Sequence, residues 1–138
     1  TPLIPDDLLG GWDARRPVGL SMLEITNDVN VGGVNAATAA ADVQAYHEAA
    51  ADYCLAGNVA CTVPRNVPQA TQAAANALVL AGYASWGCTA VIDFGSQPHI
   101  GTGDSTTDPT YWVGANHPNG PGNTIMAATA NPVLGPLA

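Results

Sequence analysis

Residues 35–56, NAATAAADVQAYHEAAADYCLA, and residues 66–86, NVPQATQAAANALVLAGYASW, decide the fold. Both stretches are rich in alanine, the strongest helix former. The first predicts a helix from Asn35 to Ala56, with Asn35 capping the first turn and Gly57 just past the end. At about 100° per residue, Val43, His47, Ala50 and Cys54 share one face, and Tyr46 and Tyr53 lie along its edge. Glu48 and Asp52 point the other way, toward water. As like charges four residues apart they do not support one another, so packing has to hold this helix.

The second stretch predicts a helix from Asn66 to Trp86. Asn66 and Gln69 form a capping-box variant, and Pro68 is tolerated in the first turn. Val67, Ala74, Leu78, Ala81 and Ser85 make one stripe. Residues 77–86 are apolar nearly all round, which calls for cover on several sides, from this chain or from another subunit. Gly82 permits close backbone approach. The short link at 57–65 makes an antiparallel hairpin the natural arrangement. Cys54 and Cys61 flank Gly57-Asn58 in that link, and the spacing predicts a disulfide pinning the helix end to the loop. Cys88 is then left over, either buried and free or joined to another chain.

Outward from this pair the chain reads as irregular. Pro2, Pro5, Gly10, Gly11 and Pro17 break up residues 1–19, while Leu3, Ile4, Leu8, Leu9 and Trp12 supply apolar anchors for docking. Residues 19–29 settle on no single period, and Asn27, Asp28, Asn30, Gly32 and Gly33 read as a turn-rich link. Beyond the helices, Cys88 to Phe94 predicts a short strand with Val91, Ile92 and Phe94 as its apolar content. Tyr111 to Val113 predicts a smaller one. Residues 124–130 suit either a strand or a short helix, and Pro132, Gly135 and Pro136 suggest a tail lying extended over a neighbour. The expected fold class is mainly α: an Ala-rich antiparallel helical hairpin (35–86), an irregular docking arm (1–34), and a Gly/Pro-rich region with one or two short strands (87–138), all in a single small domain.

Composition limits the partners. Three Lys and Arg residues, none of them lysine, face eleven Asp and Glu, for a net charge of -8. Replacing the counterions condensed on nucleic acid needs a basic face that this chain lacks. Direct binding to an anionic membrane surface fails for the same reason. No apolar run reaches the roughly 18 residues of a membrane span. The hydrophobic share of 47% overstates the core, because alanine dominates it and there are only three Trp, four Tyr and one Phe. A core this thin implies help from a disulfide, from close Ala–Ala packing or from a partner. The start at Thr1 reads as a processed end; with the expected bridge and the lack of lysine it suggests an extracellular or cell-surface location.

The chemistry-bearing residues are sparse. His47, flanked by Tyr46 and Tyr53, is the candidate for an axial haem ligand, set against a plain core histidine bonded to its surroundings. The absence of CxxCH excludes covalent c-type haem. His47, His99 and His117 with Asp93, Asp104 and Asp108 offer metal-ligand types, but no HExxH is present and no metal or cofactor is expected. Asp104–Asp108 lacks the ligand pattern of an EF-hand. Thr1 as a nucleophile would need an N-terminal strand and an amine-tuning group that the sequence does not supply. GxSxG, GxGxxG and Walker patterns are absent.

The leading expectation is therefore an exported, non-catalytic structural or accessory subunit. It would meet itself or another protein through Ala74, Leu78, Ala81, Trp86 and the terminal arms. The alternatives are a secreted carrier of haem or a small apolar ligand at His47, and a small exported hydrolase or a subunit of one. The carrier predicts an enclosed cavity lined by Val43, His47 and Leu78. The hydrolase predicts that His47, His99 or His117 meets Asp93 in a cleft.

Overall fold

Asn35 caps as its position predicts. Its side-chain oxygen accepts from the Thr38 N–H at 2.9 Å, and α1 follows over Ala36–Asp52. This computed structural model of the chain describes Ile25, Val29 and residues 32–52, 57–64, 69–102, 108–114 and 117–137. After α1 come β1 (Val59–Thr62), α2 (Gln69–Gly82) with a 3-10 turn over Tyr83–Trp86, and β2 (Ala90–Asp93). A second 3-10 turn, Phe94–Ser96, leads toward β3 (Trp112–Val113), β4 (His117–Pro118) and α3 (Gly120–Leu134).

The link between the helices is a strand. β1 pairs in parallel with β2, Val59 opposite Ala90 and Thr62 opposite Asp93. Each of α1 and α2 is thus followed by a strand of the same parallel pair, which replaces the expected antiparallel hairpin. The expected fold class is corrected to three helices with two two-stranded sheets among the described residues. The physical reason lies in residues 59–63, Val-Ala-Cys-Thr-Val, which are all buried. A parallel strand covered on both faces needs a near-continuous apolar run, not an alternating one.

Side-chain alternation along the strands builds two cores. Ala60 and Val91 point toward α1 and α2, into a cluster with Ala39, Val43, Ala75 and Val79. Ile25 and Val29, the two described residues of the expected docking arm before residue 32, are helical and buried in this same cluster. The arm's anchors from Leu3 to Trp12 lie outside the described residues. Val59, Cys61 and Ile92 point the opposite way, into a cluster with Phe94, Ile100 and Trp112 that α3 covers through Ile125, Met126, Ala130 and Val133. The result is a three-layer arrangement of helices, strand pair and helix.

This alternation also overturns the disulfide. Cys61 faces α3, on the side of the strands away from α1, and its buried thiol is in no disulfide. The expected Cys54–Cys61 bridge therefore does not form; Cys54 itself lies outside the described residues. Cys88 is likewise a buried thiol in no disulfide, and burial pushes its pKa up to about 11.

The C-terminal region is more regular than its glycines and prolines suggest. Asn119 caps α3, accepting from the Gly122 N–H at 3.2 Å, and Pro121 sits in the first turn, where no N–H is needed. Pro132 falls inside the helix near its end, in place of the expected extended tail. A Cβ on Gly122 would lie 2.4 Å from the Tyr111 carbonyl oxygen, so glycine is required for this helix to dock. The antiparallel β3–β4 pair delivers Trp112 to the core, where its indole N–H donates to the His99 carbonyl at 2.8 Å.

Candidate functional site

The stripe predicted on α2 exists, but it faces outward. The buried residues of α2 are Gln72, Ala75, Asn76 and Val79, whereas Ala74, Leu78 and Ala81 are exposed. Asn76 explains why a polar residue points inward. Its Oδ1 accepts from the Val63 N–H and its Nδ2 donates to the Val63 carbonyl, both at 2.9 Å. These bonds satisfy the chain as it leaves β1, and burial without such a partner would carry a desolvation cost.

The outward stripe borders a groove of about 390 Å³ between α1 and α2. Ala37, Ala40, Ala41 and Gln44 line its α1 wall. Leu78, Ala81, Gly82 and Trp86 line the other. Alanine on one helix and glycine on the other leave the space open. The Trp86 ring lies flat enough on Gly82 that a Cβ there would come within 2.3 Å of it. No lining residue carries charge. At the rim, Gln44 donates to the Glu48 carboxylate at 2.7 Å. Leu78 stands 43% exposed beside the opening, and Leu80 is exposed as well. Three of the predicted contact residues, Leu78, Ala81 and Trp86, are brought together here; Ala74 is exposed on the same helix but does not line the groove. The α1 wall was missed, although Ala37, Ala40 and Ala41 show a small-residue spacing of three and four, with Gln44 seven residues on.

His47 is elsewhere, at the start of the strands. It is 0% exposed, and its Nδ1 lies 2.7 Å from Asn58 Oδ1. Tyr46 meets the imidazole edge-on at 5.4 Å, and Tyr53 lies outside the described residues. The groove does not include His47, and Val43 is buried inside while Leu78 is exposed outside, so the cavity expected for a carrier is not the one between the helices.

The predicted catalytic and metal partners are scattered. Asp93 closes the opposite end of the strands, accepting from Thr62 Oγ1 at 2.7 Å and from the Ser96 N–H at 3.2 Å. A hollow of about 180 Å³ beside it is lined by Ala73, Ala77 and Leu80 together with Asn76, Asp93 and the following turn. No histidine reaches it. His99 is exposed, adopts a left-handed φ of 70° and stacks on Tyr111 at 4.4 Å, while His117 pairs with Val113 in the β-ribbon. Asp104 lies outside the described residues. Among the described residues, no group of three His, Cys, Asp or Glu side chains is placed to hold a metal ion, and no helix is long and apolar enough to cross a membrane.

Among the described residues, α1 and α2 cover one side of the β1–β2 pair and α3 the other, and the α1–α2 groove is lined by uncharged residues. Comparison with protein-family models, with curated proteins and with solved structures finds no match for this chain.

Proposed function

We propose that this chain is a non-catalytic assembly subunit that pairs with a second copy of itself across the α1–α2 groove. The observation that carries this reading is the coincidence, on one face, of an uncharged hollow and an exposed leucine beside it. A two-fold contact is isologous, so the same patch has to supply both knob and hole. Leu78 of each copy fills the alanine-lined hollow of the other. Charge supports the same face: two chains of net charge -8 repel in general, and a surface without lining charges is where they meet at least cost.

The test is native mass spectrometry, without reduction, of the wild-type chain and the Leu78→Glu variant. The reading predicts a wild-type dimer and a folded monomeric variant. A wild-type monomer, or a variant dimer as stable as wild type, overturns it. A monomer carrying additional ligand mass would favour the carrier reading, with His47 as the residue to examine.

A further inference from the structure

Asn58 joins three parts of the fold. Its Nδ2 donates to the His47 carbonyl of α1 at 3.1 Å and to the Gly87 carbonyl at 3.3 Å. Its own carbonyl accepts from the Thr89 N–H at 2.8 Å, at the entry to β2. Gly87 has a left-handed φ of 81°, and a Cβ there would lie 2.5 Å from the Ala51 methyl, so this turn is pressed against α1.

These bonds fix the chemistry of His47. Because Nδ2 of Asn58 faces two carbonyls, its Oδ1 must be the atom facing the ring, and Nδ1 of His47 must carry the proton. The other nitrogen, Nε2, is then a bare lone pair. It is buried and has no hydrogen-bond partner among the described residues. A second proton would create a buried cation with an N–H that has no acceptor, and the ring would have to leave its site to reach water.

We propose that His47 is an acid-sensitive latch, whose protonation releases the Asn58 junction between α1, β1 and the turn into β2.

Among the described residues, the surroundings offer the charged ring no compensation. From α1 it meets the Tyr46 ring edge-on, while Asp42 and Glu48 of the same helix are exposed to solvent. From β1 it meets the neutral Asn58 amide. On the turn that Asn58 holds, the titratable group is the Cys88 thiol. A phenol and a buried thiol do not ionise in the acid range. Burial lowers the affinity of the ring for a proton, and the Asn58 bond opposes this only in part.

The experiment is amide hydrogen exchange on the full chain at about pH 7 and about pH 5, corrected for intrinsic exchange. Below the ordinary histidine value, each pH unit favours the opened, protonated form by up to about tenfold. The Thr89 amide should therefore lose about tenfold in protection, while the Ile92 and Trp112 amides, set in the other core, change far less. In the His47→Asn variant, which keeps an N–H donor toward Asn58 but cannot titrate, the Thr89 loss should disappear. An equal acid loss at Thr89 in that variant overturns the proposal. Should the variant fail to fold, a nitrogen-detected NMR titration of the wild-type histidines decides. A His47 that titrates at or above its ordinary 6.5 rules the latch out, and one that stays Nδ1-protonated and neutral well below that value supports it.

Discussion

On one side of the β1–β2 pair, α1 and α2 cover the strands with Ala39, Val43, Ala75 and Val79. On the other, Phe94, Ile100 and Trp112 fill the space beneath α3. The first layer sets alanines and valines beside Ile25 and Trp86 and also carries buried polar side chains: His47, Asn58, Gln72 and Asn76. The second groups Ile92, Phe94, Ile100 and Trp112 around Val59 and Cys61 and relies on area removed from water. Small residues let two helices and a strand pair approach closely, but they do not fill the outer seam, and the groove remains. The second layer buries Phe94, Ile100 and Trp112 inward, while Val113 and Leu134 stay exposed at its edge. The open groove lies on the α1–α2 side, while the α3 side closes over Phe94, Ile100 and Trp112.

The largest effect should come from the bulky layer. Trp112→Ala should cost about 3–5 kcal/mol in urea denaturation, from lost burial and the cavity left behind. A loss under about 1 kcal/mol would break the contrast between the layers. Asn76→Ala comes next. It leaves the Val63 N–H and carbonyl without their partner, at about 1–3 kcal/mol for each group that water does not reach. If Asn76→Leu restored stability, apolar volume rather than polar tying would be what that site requires.

The pH dependence sharpens the comparison on the small-residue side. Burial depresses the folded-state pKa of His47 below its ordinary 6.5, so the unfolded chain binds the proton more readily. Stability from this group is complete above about 6.5 and falls as pH drops toward the folded value, by at most about 1.4 kcal/mol per pH unit. The slope should vanish in His47→Asn and persist in His99→Gln, whose ring is exposed. Smallest in stability is Leu78→Glu, which should change unfolding by under about 0.5 kcal/mol at chain concentrations too low for pairing while abolishing pairing at higher ones. Added salt should strengthen the wild-type dimer by screening its like-charged copies.

Sequence reasoning located α1 and its cap well, because alanine density and Asn35 act locally. It also found the core face with Val43, His47 and Ala50. Where it failed, the cause was non-local. Residues 59–63 read as part of a cysteine-bridged loop because a short buried strand has no alternation of its own, and its partner lies about thirty residues downstream. Gln72 and Asn76 disguised the buried face of α2, and the partners of Asn76 are the Val63 backbone groups, which appear only once β1 is placed. α3 was hidden by Pro121, Gly122 and Pro132, each of which weakens a helix in isolation but is tolerated at a capped, packed end. Half of the groove was legible in Leu78, Ala81 and Trp86. The α1 half was not, because an alanine on a helix does not announce which neighbour it faces.

The most direct test of the central claim is an isotope-filtered NOE experiment on an equal mixture of carbon-13-labelled and unlabelled chains. The account predicts intermolecular cross-peaks from the Leu78 methyls of one copy to the Ala40 and Ala41 methyls of the other. A dimer whose intermolecular contacts run instead through Val113 or Leu134, or a sample with none, would contradict it.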